Sequence, residues 1–405
     1  MADLLSDLKR GTAQFTMLGT AKIGTDTFKG VQQPKEGGYW VSVKTSIPVE
    51  INEGVRVFPE INDGYMSNKP IIKKFPSEKL ENGGMLEIPF KNRLDKAFVE
   101  KVGNYDLFKC NIEKDEDGKP IMQQFIHGID FEKYLSKHMV DGMEVRITGN
   151  VEYGFSKDRE KVYRNYRIKA VYLNEGYKKN GEDVEPAPHS ATFNQTYLVE
   201  AGALDSRWEK DLEGKGKTTV TAYVPDYMSK VWDGSSYVEF KKTVALPQAL
   251  TIAADISDEK SIARGKVLAK RLFDVPKKKV REINLTVNIN EGFETGTPDF
   301  EVSKDLQELI DAGLMTLEDV TKQVTVRGNR ISELVLVKPR VKLTDEGNTI
   351  IDMTDDKYSS DVLIFPSYEM KESNDQKVKK EEIITDDPNE PMSDDAFDAL
   401  FGMED

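Results

Sequence analysis

EVRITGNVEYGFSKDREKVYRNYRIKAVYLN, residues 144–174, is the stretch that decides the fold class. In its first run Val145 and Ile147 share one face and Arg146 and Thr148 the other, the two-residue period of a strand. A polar turn around Ser156–Glu160 follows. The second run repeats the period: Tyr166, Ile168, Ala170 and Tyr172 form an apolar face, and Tyr163, Asn165, Arg167 and Lys169 form the opposite one. The reading is a β-hairpin with one face for a core. Its outward face collects Arg146, Tyr163, Arg167 and Lys169, with Lys157, Arg159 and Lys161 at the tip. Seven basic residues stand there against four acidic ones, net +3, in a chain of net charge −14.

A short helix, Phe131–His138, precedes this hairpin. Further on the order recurs: a helix at Ser303–Ala312, then KQVTVRGN (Lys322–Asn329), then ELVLVKPRVKL (Glu333–Leu343). Val145, Ile147, Gly149 and Asn150 align with Val324, Val326, Gly328 and Asn329. A V-x-V/I-x-G-N phrase also recurs by chance at strand ends; the shared order of elements favours a repeat. Helix, strand, glycine turn and closing strand is the ending of an OB-fold, a five-stranded Greek-key barrel. The fold expected is mainly β with a few helices: two OB-like β-barrel units with insertions, and a disordered acidic C-terminal tail. Pro59–Phe75 and Asp226–Phe273 are the expected insertions.

Elsewhere Gln14–Ile23, Tyr39–Lys44, Val55–Phe58 and Leu86–Pro89 read as strands rich in β-branched and aromatic residues, with EGG and NDG as turns. Residues 3–10, Arg93–Lys101 and Ser257–Phe273 read as helices, the last with Ser257 as its cap. YKKNGEDVEPAPHS, residues 177–190, shows neither period and reads as a linker. The domains expected are therefore 1–176, an OB-like barrel; 177–190, a linker; 191–345, a second OB-like domain with a helical insertion; and 346–405, an extension and acidic tail. The length of 405 residues suits two or three domains.

Composition narrows the function. One cysteine, Cys110, excludes an internal disulfide and a multi-cysteine zinc site. His127, His138 and His189 lie in no metal-binding spacing, so no metal or other cofactor is expected. There is no G-x-x-x-x-G-K-[ST] loop, no G-x-G-x-x-G and no G-x-S-x-G elbow. GGYW and GKGK read as turns, and DEDG (Asp115–Gly118) as a hairpin turn rather than a calcium loop. No nucleophile and base pair stands out, so no catalytic residues are assigned and the chain is not expected to be an enzyme. No apolar run reaches the ~20 residues of a membrane span, and the N-terminus lacks signal-peptide features. A cytoplasmic protein is expected, in the host cytoplasm if the gene is a phage's.

Two further charged stretches bear on partners. Arg264–Arg281 holds eight basic residues against one acid, net +7, including Lys277, Lys278, Lys279 and Arg281 after the helix-ending Pro276. Such density attracts phosphates, or serves as a solvated face and charged strand edge. Tyr223, Tyr227, Trp232, Tyr237 and Phe240 lie nearby, and Trp208 precedes KDLEGKGK, which reads as a mobile loop. From Glu381 to Asp405 there are ten acidic residues and no basic ones, so residues 1–380 carry only −4. Within that tail Phe397, Leu400 and Phe401 fall at i, i+3 and i+4, one small apolar face for a partner to capture.

The OB-like endings, the basic and aromatic hairpin and the DDAFDALF tail together resemble a phage-type single-stranded DNA-binding protein. The resemblance implies a non-enzymatic protein of DNA replication, recombination or repair. Its OB-folds would hold single-stranded DNA through Arg146, Lys157, Arg159, Lys161, Tyr163, Arg167, Lys169, Lys277, Lys278, Lys279 and Arg281. Its tail would recruit replication or recombination proteins through Phe397, Leu400 and Phe401. Phe401 stands four residues from the end rather than at it, and the zinc of some phage relatives has no ligand set here. The alternative is a phage structural or host-takeover module whose β-domains bind protein.

Overall fold

Strand alternation of the kind seen in residues 144–174 runs through most of the chain, and it is pairing between distant runs that builds the body. A computed structural model describes residues 8–365 apart from 53–54, 81–82, 157–160, 180–181, 297–301, 317–319 and 321–325; side chains of 177–179, 182–183, 291–296, 326–331 and 356 also lie outside the description. Two compact units divide the chain: Met1–Met228 with Lys241–Pro366, and Ser229–Phe240 with Ser367–Asp405. The helix expected over 3–10 lies mostly outside the described residues, as does the tail.

In the first half, β1 (Ala13–Ala21) turns Phe15, Met17 and Ala21 inward. β2 (Val31–Gln32) lies along β3 (Trp40–Ser46), which continues past Ile47 and Pro48 as β4 (Val49–Asn52). β5 (Val55–Val57) folds back on β4, and β6 (Glu60–Met66) on β3. An inserted subdomain follows: the hairpin β7 (Ile71–Lys74) and β8 (Leu86–Pro89), then α1 (Lys96–Lys101), β9 (Phe108–Asn111) and β10 (Gln123–Phe125). α2 (Gly128–His138) leads into β11 (Glu144–Phe155) and β12 (Val162–Leu173).

The pairings close a ring. β1 runs antiparallel to β4, β3 to β6, β12 to β11 and β11 to β1, while β6 and β12 are parallel at Glu60 and Arg167. With β3 and β4 counted as one strand, this is a closed five-strand barrel of order 1-2-3-5-4-1, with a helix between the third and fourth strands. That is the OB-fold.

The second half repeats the ring with other dimensions. After the small hairpin β13 (Tyr177–Lys179) and β14 (Glu182–Val184) come β15 (Ser190–Glu200) and α3 (Trp208–Lys215). The long strands β16 (Lys217–Trp232) and β17 (Tyr237–Ala253) follow, then α4 (Glu259–Phe273) and β18 (Val280–Gly296). α5 (Lys304–Asp311), β19 (Val326–Pro339), the hairpin β20 (Val341–Leu343) and β21 (Thr349–Ile351), and β22 (Met353–Tyr358) complete the described chain. β15 pairs with β16 and β18, β16 with β17, β17 parallel with β19, and β19 antiparallel with β18. The order is again 1-2-3-5-4-1.

This threading corrects five expectations. Pro59–Phe75 is not the first barrel's insertion: it holds β6, the barrel's third strand, and the inserted subdomain begins only after Met66. Asp226–Phe273 is not an insertion; it supplies most of the second barrel's second and third strands and its helix. The OB helix of that barrel is α4, and α5 sits between the fourth and fifth strands. Val145, Ile147, Gly149 and Asn150 lie on a fourth strand, whereas Val326, Gly328 and Asn329 lie on a fifth, so the V-x-V/I-x-G-N match joins non-equivalent positions. Val324 is outside the described residues. The loop expected after Trp208 is α3, whose Leu212 packs against Gly265 of α4 so closely that a Cβ there would fall 2.9 Å from its Cδ2.

The stretch 177–190, expected as a linker, holds the β13–β14 hairpin, and Asn174 and Ala187 exchange hydrogen bonds across it at 2.8 and 3.2 Å. The barrels are joined through their first strands. β1 and β15 are antiparallel with Phe15 opposite Phe193 and Thr16 opposite Thr192, like residues meeting about a local two-fold. Buried Asp226 of β16 adds a polar tie, accepting from Arg10 at 2.6 Å and from the Tyr153 N–H of β11 at 3.1 Å. Beyond Asn348, β22 returns to pair with β18.

The OB helices are capped differently. His127 caps α2: its Nδ1 accepts from the Ile129 N–H at 3.2 Å, which leaves the proton on Nε2, 3.3 Å from the Gly64 carbonyl. The ring is buried, and burial holds its pKa below the usual histidine value. α4 is capped by Asp258, accepting from Lys260 N–H at 2.9 Å; Ser257, the expected cap, instead donates to Asp255.

Candidate nucleic-acid interface

An OB barrel offers ligands the outward face of its second and third strands and the loops beside them. In the first barrel that face is β3 and β6. Val41, Val43, Thr45 and Ile61 point into the core; Trp40, Ser42 and Lys44 point out opposite Met66, Gly64 and Asn62. Trp40 lies across Gly64. A Cβ at Gly64 would fall 2.6 Å from its Cζ2, 2.7 Å from its Cε2 and 2.5 Å from the Val41 carbonyl. Only glycine leaves room for the indole to lie against the neighbouring strand. Trp40 remains 52% exposed, and Tyr39 is equally so. Lys29, Lys35 and Lys44 are exposed here and have no ion-pair partner among the described residues. The arrangement can stack a base on a fixed ring while amines meet phosphates.

The hairpin β11–β12 alternates as the sequence implies as far as Ile168: Tyr166 and Ile168 are buried, and Tyr163 is 45% exposed. Register then shifts. Thr148 pairs with Ala170 and Gly149 with Ile168, so Lys169 is the extra residue of a β-bulge and Val171 becomes inward-facing. Gly149 is required there, since a Cβ would fall 1.9 Å from the Arg167 carbonyl.

The cations of this hairpin do not form one free row. Arg167 is ion-paired with both Glu60 and Glu152, and Lys169 lies 3.5 Å from Asp106 and 4.9 Å from the Phe108 ring centre. Arg146 and Lys161 are exposed and have no ion-pair partner among the described residues. Lys157 and Arg159 lie outside the described residues.

In the second barrel Lys277, Lys278 and Lys279 are exposed in the turn after α4, with Lys278 at φ 65°. Arg281, expected to contact nucleic acid, is turned inward instead. It holds Asp355 through two bonds of 2.6 and 2.7 Å and donates to the Arg271 and Leu272 carbonyls at 3.2 and 3.0 Å. It satisfies C-terminal carbonyls of α4 and ties that helix to β22; four of its five N–H donors are used and its side chain is only 8% exposed, so it is not presented to a phosphate. Tyr227 of β16 is 44% exposed. In the second compact unit, Ser229–Phe240 forms a turn in which Asp233 accepts from Ser235 and Ser236 N–H, with Trp232 and Tyr237 edge-to-face at 5.2 Å. Phe397, Leu400 and Phe401 lie outside the described residues.

Cys110 is fully buried, and burial first of all pushes its thiol up to about 12, so it is a poor nucleophile at neutral pH. Among the described residues no group of three or more His, Cys, Asp or Glu side chains could hold a metal ion, and no helix is long and apolar enough to cross a membrane.

Sequence reasoning read Tyr39–Lys44 as a strand but took GGYW as a turn and gave Trp40 no role. The usable signal was a tryptophan opening an alternating run, WVSVKTS, at an outward position. Nothing local marks Gly64 as its cross-strand seat.

No match was found among protein-family models or curated protein sequences. Among solved structures, the wild-type single-stranded DNA binding protein from Thermus aquaticus is similar at 9% identity, over 73% of this chain and 97% of that one, with a TM-score of 0.25. A deletion mutant of the same protein is similar at 9% identity over 73% and 98%, with a TM-score of 0.24.

Proposed function

We propose that this chain is a non-enzymatic single-stranded DNA-binding protein of a phage-type replication or recombination system. The observation that carries the reading is Trp40, half exposed yet seated across Gly64 on the outward face of the second and third strands of an OB barrel. A buried indole would serve the core; a half-exposed one held flat by a glycine serves a planar ligand. Base stacking on such a ring contributes roughly 1–3 kcal/mol. Lys29, Lys35 and Lys44, with no ion-pair partner among the described residues, supply cations for the backbone, and Arg146, Lys161, Lys277 and Lys278 extend the cationic surface. Labelled oligo-dT titrated at several salt concentrations tests this. Affinity falling steeply with salt supports it. Absence of binding at low salt removes it and favours a protein-binding module.

The tail belongs to the same proposal. Phe397, Leu400 and Phe401 recruit a replication or recombination protein, and the ten acids compete with DNA for the body. Deleting Glu381–Asp405 raises oligo-dT affinity at low salt, where charges act over about 30 Å at 0.01 M. Replacing the three apolar residues by alanine leaves DNA affinity unchanged and abolishes capture of the partner. Equal capture by both forms contradicts the recruiting role.

A further inference from the structure

We propose, building on the single-strand reading, that the subdomain inserted between β6 and α2 is a second contact for the same strand. Its bases stack on Phe75 and Tyr105. The subdomain has a small core of its own, Ile72, Ile88, Val102, Leu107 and Ile126, with Phe90 and Phe98 packed against it; Phe75 and Tyr105 are not among the side chains that complete it. Yet Phe75 and Tyr105 are 51% and 69% exposed, with ring centres 6.0 Å apart and tilted by 40°.

The backbone that carries both rings is fixed. The Asp106 carboxylate accepts from the Phe75 N–H at 2.9 Å. The Phe75 carbonyl accepts from Gly103 N–H at 2.8 Å, and the Gly103 carbonyl from Asp106 N–H at 2.8 Å. The Tyr105 ring lies over Gly103, where a Cβ would fall 2.9 Å from its Cε1. Two large apolar side chains are thus carried into solvent on a hydrogen-bonded backbone frame, so that ordering of this backbone adds little to the cost of binding.

Charge selects the ligand. The insertion as a whole, residues 67–127, carries eleven basic against ten acidic side chains; four of the acids lie in residues 113–117, and residues 67–106, which hold both rings, carry eight basic against six acidic, net +2. Lys69, Lys79, Lys91, Lys96 and Lys101 have no ion-pair partner among the described residues. Asp106 itself is shared by two amines, Lys74 at 3.6 Å and Lys169 at 3.5 Å. Exposed rings among amines that have no ion-pair partner among the described residues fit bases joined by phosphates. An acidic protein segment would find the amines but no use for two aromatic faces.

The test uses the full chain and labelled dT oligonucleotides of increasing length. Phe75→Ala with Tyr105→Ala, and separately Phe75→Leu with Tyr105→Leu, should weaken binding of long dT at least about tenfold. Affinity for the shortest dT that the wild type holds should not change, nor should the salt slope, because no phosphate contact is lost. The leucine pair keeps apolar bulk and isolates the rings. Long dT bound within about twofold of wild type by both variants, while Trp40→Ala weakens it, overturns the second contact alone. Equal loss at every length also overturns it, by marking a general disturbance. A wild type that binds no dT removes the single-strand reading itself.

Discussion

The two barrels close in the same order but carry their extra residues at different connections. In the first, the outward strands β3 and β6 are seven residues each, and the inserted subdomain enters between the third strand and the helix. In the second, the corresponding strands are 16 and 17 residues, and α5 enters between the fourth and fifth strands. The ring tolerates either because each insertion joins strand ends without crossing the barrel wall. The cations differ as well. In the first barrel, whose outward face carries the exposed Trp40, Lys29, Lys35 and Lys44 have no ion-pair partner among the described residues. The second turns Arg281 inward to fasten α4 to β22. A basic residue in the sequence therefore stays open to a ligand in one place and fastens the fold in another, and the partner acids decide which.

The largest effect that would sharpen this contrast is on stability. Arg281→Met leaves Asp355 and two helix carbonyls without their donor and should cost about 3 kcal/mol, at the low end of the range for such pairs because Asp355 is partly exposed. Chemical unfolding measures it, while the fraction still folded should bind oligo-dT as the wild type does. A loss of DNA affinity at unchanged stability would break the assignment of Arg281 to assembly.

Gly64→Ala should come next. Its methyl group cannot coexist with the present position of Trp40, so oligo-dT affinity should fall roughly tenfold with little change in salt slope. Affinity unchanged in this variant would mean that the ring's seat is incidental.

The helix caps give a contrast in pH. Burial lowers the pKa of His127, while the unfolded chain takes up its proton near pH 6.5. The unfolded state then binds more protons, so this stability is complete above about pH 6.5 and is lost as pH falls toward the lower folded value. Thermal midpoints of the wild type should decline between about pH 7 and 5. His127→Asn keeps a capping acceptor without the titration and should flatten that decline. The acid paired with Arg281 acts lower: Asp355 is held below the usual carboxylate range by that guanidinium, so its contribution is present above about pH 4 and fades below it. Curves of equal slope for wild type and His127→Asn would contradict the neutral cap.

The smallest effect is expected at Arg167. Already neutralised by Glu60 and Glu152, it should change oligo-dT affinity by no more than about threefold when replaced by glutamine. A loss as large as that of Gly64→Ala would return the binding face to the hairpin.

Much of the β architecture was legible because alternation is local. The strand at Leu86–Pro89 and the inward set Tyr166 and Ile168 follow from it directly. What failed was not local. β16 and β17 carry Pro225 and Pro247 inside long strands, which argues against a strand on sequence grounds, so the second barrel's core strands read as an insertion. The bulge at Lys169 changes which residues face the core without any change in composition. At the candidate site, the basic residues were visible but the acids that occupy them, Glu60 and Asp106, lie 107 and 63 residues away in the chain. Trp40 matters only through a glycine on the next strand, a pairing that appears once the register of β3 and β6 is known.

The central claim is that the β3–β6 face of the first barrel holds single-stranded DNA on Trp40. Its most direct test is the affinity of wild type and Trp40→Ala for labelled oligo-dT across a salt series. Loss of about tenfold at every salt concentration, with parallel slopes, is the expected result, since stacking releases no counterion. Coincident curves for the two proteins would contradict it.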